Sequence, residues 1–114
     1  MNPQEIADCY YEAFEKRSDF SEVPMAAALR FLSPAMVLPS AEAFRGALGG
    51  LVQQFQGMEI RHQSVDGEAV LTVYDFDMGL PGGPIPMAEV LRCRGGEIAE
   101  VELIFDSAKM QPPA

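Results

Sequence analysis

Three side chains in this sequence combine protic chemistry with apolar surroundings: Glu89, Tyr10 and His62. Glu89 lies in the run Ile85–Arg94, where apolar and polar residues alternate, and it shares a strand face with Met87, Leu91 and Cys93. A carboxylate on such a face stands at the rim or inside a pocket. Inside, loss of water favours its protonated form, and a neutral acid can donate a hydrogen bond to a ligand oxygen or act as general acid. The competing assignment is a strand-end carboxylate paired with Arg92 or Arg61. Tyr10 falls in the middle of a helical stripe of Ile6, Cys9, Tyr10, Ala13 and Phe14, with Tyr11 at its edge. Its hydroxyl points into a cavity or finds a backbone or water partner. His62, the single histidine, has the strand parity of Met58 and Ile60, so it reads as inward-facing and available as a base. A rim histidine without a partner is the alternative. Asp75, Asp77, Glu100 and Glu102 each alternate with apolar residues and read as the wet face of half-exposed strands.

The elements that must carry these groups follow from periodicity and turn chemistry. Asn2, Pro3 and Glu5 mark the start of a first helix that fades near Arg17. A second helix is expected from Ser21, with Met25, Ala28, Leu29 and Leu32 buried, ending at Ser33-Pro34. Met36–Pro39 reads as a short extended piece. From Ser40 to Phe55 one long helix capped by Ser40 competes with a turn, an extended Ala43–Arg45 and a helix starting after Gly46. The second reading is preferred, because Gly46, Gly49 and Gly50 each cost about 1 kcal/mol in a helix interior. Four strands then follow in hairpin order: Met58–Val65, an Asp66-Gly67 turn, Glu68–Leu80, and the hairpin Ile85–Asp106 around Gly95-Gly96. Residues 108–114 read as a frayed tail of one domain spanning 1–114, with its core at about 3–107.

The expected class is therefore α+β: a curved antiparallel sheet with three N-terminal helices on its concave side, a cone around an internal pocket. With 114 residues and a formal net charge of −9, nucleic acid and anionic membrane surfaces are poor partners. No apolar run reaches membrane-spanning length. No basic-then-apolar leader opens the sequence, and two widely spaced cysteines suit free thiols in a reducing cytoplasm. No metal-spaced Cys/His set, phosphate-binding loop or dinucleotide fingerprint occurs, so no metal and no cofactor is expected.

Four segments together resemble the superfamily of nuclear transport factor 2, ketosteroid isomerase and the SnoaL-like polyketide cyclases. They are the Tyr10 helix, Phe31–Leu38, Phe44-Arg45-Gly46, and Glu89–Ile98 leading into Phe105-Asp106. The resemblance covers about Glu5 to Asp106 and implies the cone fold. In ketosteroid isomerase an Asp base works with an oxyanion hole of a Tyr and a protonated Asp. The resemblance places Tyr10 at the position of that Tyr and Glu89 at that of the protonated Asp. The base position falls on Val37 or Leu38, neither of which can take a proton, and the last-strand Asp of the epoxide hydrolase relatives falls near Leu103.

The expected function is binding of a small hydrophobic molecule in the cone. Glu89, Tyr10 and His62 would be the reactive groups, and Leu38, Phe55, Met58, Tyr74, Met87, Leu91 and Phe105 the lining. A cofactor-free isomerase or cyclase acting on a carbonyl compound is one form of that reading. A non-catalytic binding module, or an interaction protein working through its outer sheet face as a homodimer, is the other.

Overall fold

A computed structural model describes residues 1–110. Helix α1 spans Pro3–Glu15 and opens with a full capping box: the Asn2 side chain accepts from the Glu5 N–H, and the Glu5 carboxylate accepts from the Asn2 N–H. The chain then forms β1 (Met25–Leu32), β2 (Val37–Leu38), α2 (Ala41–Val52) and four long strands. These are β3 (Gly57–Asp66), β4 (Ala69–Asp77), β5 (Ile85–Arg94) and β6 (Glu97–Phe105), followed by a short 3₁₀ turn, Ser107–Met110. One sheet in the order β2-β1-β6-β5-β4-β3 holds all six strands, antiparallel except that β1 runs parallel to β6. α1 lies against β3 and β4, and α2 against β1. The α+β class and the curved sheet are as expected, with two α-helices among the described residues in place of three.

The missing helix is β1. Met25 and Leu29 are buried four residues apart, which looks like one helical turn. Between them stand three alanines that give no alternation, and the pairing of β1 with β6 shifts register in that interval. Burial of Leu29 and Phe31 in a sheet decides the conformation over local alanine propensity, as tertiary context commonly does.

α2 takes the longer of the two readings. Ser40 accepts from the Ala43 N–H, and the helix runs through all three glycines. Burial of Phe44, Leu48 and Val52 on one face outweighs their backbone cost. Arg45, on its flank, donates to the carbonyls of Phe20 and Val23 and so fixes the loop between α1 and β1.

The β5–β6 turn at Gly95-Gly96 is as expected, both residues having positive φ, the geometry of a type I′ hairpin. The β3–β4 turn is one residue later than expected, at Gly67-Glu68, since Asp66 pairs with Ala69. Residues 108–110 belong to the 3₁₀ turn rather than to a frayed tail, and Met110 packs on the core. Residues 111–114 of that expected tail lie outside the described residues.

Two bulges matter for the site. β3 shifts register between Ile60 and His62, and β5–β6 shifts between Arg92 and Cys93. Bulges bend a strand and increase its twist, which curves the sheet around α1 and α2. No helix is long and apolar enough to cross a membrane among the described residues.

Candidate functional site

Among the described residues Glu89 is the only carboxylate in the core. The pleat of β5 points Ile85, Met87, Glu89, Leu91 and Cys93 to the concave side, and each is buried. Across the sheet Glu89 is paired with Thr72 on β4 and Leu103 on β6. Tyr74 is two residues along β4 from Thr72, a diagonal that an aromatic side chain can span. From above, α1 lowers Tyr10 and Tyr11 onto the same carboxyl.

All three hydroxyls donate to it. Tyr11 and Tyr74 reach Oε1, each at 3.0 Å, and Tyr10 reaches Oε2 at 3.0 Å. Thr72 and Gln63 extend the network outward: Gln63 Nε2 donates to Thr72 Oγ1 at 3.0 Å, and Gln4 Nε2 to Gln63 Oε1 at 2.8 Å. Every buried side-chain nitrogen and oxygen among the described residues has a partner.

Burial is the dominant influence on these groups. It pushes the Glu89 carboxyl up from 4.5 to about 7, against the hydrogen bonds from Tyr11, Tyr10 and Tyr74, which favour the anion. The three phenols are driven well above their ordinary range by burial and then by the Glu89 charge, so they remain donors. Near neutral pH the cluster therefore exists in two forms. With Glu89 ionised, three phenols point at a carboxylate. With Glu89 neutral, its own O–H needs an acceptor, and a phenol that accepts it frees a proton for something else. Tyr10 and Tyr74 border the adjoining cavity and can redirect that proton there.

The cavity measures about 140 Å³. Its closed end is Glu89 with Tyr10 and Tyr74, and its sheet wall carries Phe76, Met87, Leu103 and Phe105. β1 and α2 supply Phe31, Phe44, Ala47, Leu48 and Leu51. Ser33, Ala35 and Met36, from the β1–β2 loop, form the outer end, where Ala35 and Met36 are exposed. Among the described residues no Lys, Arg or His borders it.

The structure brings Glu89, Tyr10, Tyr74, Met87 and Phe105 together at this cavity. It does not bring His62. The bulge at Arg61 gives β3 an extra residue, so that Ile60 stands opposite inward Tyr74 and His62 opposite outward Val73. Strand parity predicts an inward imidazole only for an unbroken ladder, and His62 is exposed on the convex face. Leu38, Phe55, Met58 and Leu91 do not border the cavity either. Leu91 and Phe55 are filled core, Leu38 packs on its edge, and Met58 borders a separate surface depression beside Tyr11. Neither of the arginines weighed as a partner reaches Glu89: Arg92 meets Glu100 and Glu102, and Arg61 meets Asp75.

Sequence reasoning passed over Tyr11 as a site residue. Its signal was present, since an apolar helix face is commonly wider than 100°, and Ala7, Tyr10, Tyr11 and Phe14 follow an i, i+3, i+4, i+7 pattern. Phe31 and Phe44 were hidden by the misread conformations of β1 and α2.

The likeness to solved structures is extensive. A protein from Kribbella flavida DSM 17836 is 26% identical, with a TM-score of 0.83 over 93% of this chain and 88% of that one. A nuclear transport factor 2-like protein of unknown function from Cytophaga hutchinsonii ATCC 33406 superposes with a TM-score of 0.84 at 15% identity, covering 96% and 95% of the two chains. This is the nuclear transport factor 2-like fold. A steroid delta-isomerase from Pseudomonas aeruginosa shares it at 18% identity, TM-score 0.78, covering 96% of this chain and 85% of that one. No protein-family model matches the sequence, and no curated protein matches it.

Proposed function

We propose that this protein binds a small, largely apolar molecule inside the cone, with the ligand's polar group against Glu89, Tyr10 and Tyr74. The observation that carries the reading is a fully buried carboxyl, held by three phenols, at the closed end of an otherwise apolar cavity. An engineered apolar cavity of about 150 Å³ holds benzene, so 140 Å³ suits a ring of that size and is too small for a fused-ring steroid. Residues 1–114 act as one domain on this reading, without a cofactor. Two free thiols, Cys9 and Cys93, fit a reducing cytoplasm. The test is a thermal-shift screen of small ring compounds on wild type, Tyr10→Phe and Glu89→Gln. Stabilisation of wild type that is reduced in either variant supports the polar end. Equal stabilisation in all three moves binding elsewhere in the cone, and none across a varied panel removes the proposal.

Catalysis is a second reading, favoured by the near-neutral Glu89, because general acids and bases work best near the operating pH. With no base at Val37 or Leu38 and His62 outside, Glu89 would have to take and return the proton itself. Exchange of the α-hydrogens of a bound ketone in D₂O, followed by NMR, tests this. Solvent-rate exchange in the presence of wild type ends the isomerase reading.

The convex face is a candidate contact for a second copy. Leu71 and Ile104 are 40% and 54% exposed, and Val73, Ala88 and Val90 connect them across β4, β5 and β6. Light scattering should give a dimer that Ile104→Glu converts to monomer; a monomeric wild type refutes it.

A further inference from the structure

The hydrogen-bond count at Glu89 bears on the charge of the ligand. Oε1 accepts from Tyr11 and Tyr74, while Oε2 accepts only from Tyr10. A carboxylate has about four acceptor positions, so one on Oε2 is left. The carboxyl also has no cationic partner: the ion pairs of the described residues are at Glu12, Asp75, Glu100 and Glu102, all on the surface. A buried carboxylate without a counter-ion is the expensive half of an ion pair. The missing half can arrive with the ligand.

The walls suit such a ligand. Tyr10, Phe31, Phe44, Tyr74, Phe76 and Phe105 all border the cavity. Phe31 and Phe44 are stacked, with centroids 4.8 Å apart and planes at 23°. Aromatic faces attract cations electrostatically, most strongly where water is excluded. A ketone, in contrast, brings an acceptor to an ionised acceptor, and it is welcome only when Glu89 carries a proton.

We infer that the pocket takes a compact alkylammonium ion of about six to eight heavy atoms, its N–H donating to Glu89 Oε2 and its carbons filling the aromatic cup. This rests on the reading of the cone as a ligand site and names the ligand's class. The groups facing the carboxyl are Tyr10 and Tyr11 from α1, Thr72 and Tyr74 from β4, and Leu103 from β6. α2 brings Phe44 and Leu48, its Arg45 being turned to the Phe20 and Val23 carbonyls, so among the described residues no cationic side chain borders the cavity to replace the ligand. Protonating Glu89 therefore removes the ligand's counter-ion outright.

The probes are piperidinium and cyclohexanone, six-membered rings of similar size, titrated calorimetrically into wild type across a pH series. At about pH 8.5 piperidinium should bind at least tenfold more tightly, and below neutrality its affinity should fall about tenfold for each pH unit while that of cyclohexanone does not. Glu89→Gln should keep cyclohexanone and lose the preference for piperidinium. Cyclohexanone binding as tightly at the alkaline end, or a piperidinium affinity that is flat with pH, overturns the inference and leaves the pocket reading standing. Failure of both rings, and of the wider ring panel, overturns both. The wild-type series decides even where Glu89→Gln does not fold.

Discussion

Replacing Glu89 with Gln should make this protein more stable in neutral and alkaline solution and give it no advantage in acid. In the folded protein the Glu89 carboxyl ionises at about 7, against 4.5 for the free side chain, chiefly because burial opposes its charge. Between those values the folded state holds a proton that the unfolded chain has released, so stability falls as pH rises. The contribution of neutral Glu89 is complete below about pH 4.5, declines up to about 7, and is then gone. The gap, at about 1.4 kcal/mol for each pH unit, comes to about 3 kcal/mol. Glutamine stays neutral. Its carbonyl can accept from Tyr11 and Tyr74, and its amide can donate to the Tyr10 oxygen, so the three phenols keep partners. The assay is urea denaturation of both proteins from pH 4.5 to 8.5, followed by far-ultraviolet circular dichroism. The other Asp and Glu residues titrate in both proteins and cancel in the difference. That difference should swing toward Glu89→Gln by about 3 kcal/mol, on the order of 10 °C in Tm for a domain of this size. A difference that stays constant with pH would show that Glu89 ionises normally, and the argument from burial would be wrong.

Three further outcomes follow from other parts of the molecule. Tyr11→Phe removes the hydrogen bond that most favours ionised Glu89, so carbon-13 NMR should find the carboxyl ionising above 7; an unchanged or lower value refutes the assigned geometry. Gly46→Ala should stabilise the fold by about 0.5–1 kcal/mol, because an added methyl meets open space on a helical backbone, and a loss of stability would show that the glycine is needed. Arg45→Met keeps the stem but drops the bonds to the Phe20 and Val23 carbonyls, and should cost about 1–2 kcal/mol in chemical denaturation together with faster amide exchange in the Ser18–Pro24 loop. Unchanged exchange there would mean that the loop holds itself.

The sheet was legible where each strand alternates without interruption. β5 and β6 show it best: Met87, Glu89, Leu91 and Cys93 share a face, and two glycines close the turn. Legibility failed where a ladder is broken. In β3 one inserted residue reverses the face of His62, and the bulge's only sign in the sequence would have been a mismatch with β4 that requires the pairing to be known. In β1 the alanines hide the alternation, and the partner that makes it a strand is β6, some seventy residues further along. The site was half legible for the same reason. Glu89 and Tyr10 stand out from their own segments, whereas Tyr11 and Tyr74 are bound to Glu89 only through the fold.

The chain contains three tyrosines and no tryptophan, and all three tyrosines end on one carboxyl. Emission excited in the tyrosine band therefore comes from three rings whose hydroxyls all meet at Glu89. A proton gained or lost by Glu89, or a guest seated against it, changes the surroundings of every emitter at once. No label, tag or engineered reporter is needed to watch this site in the unmodified molecule.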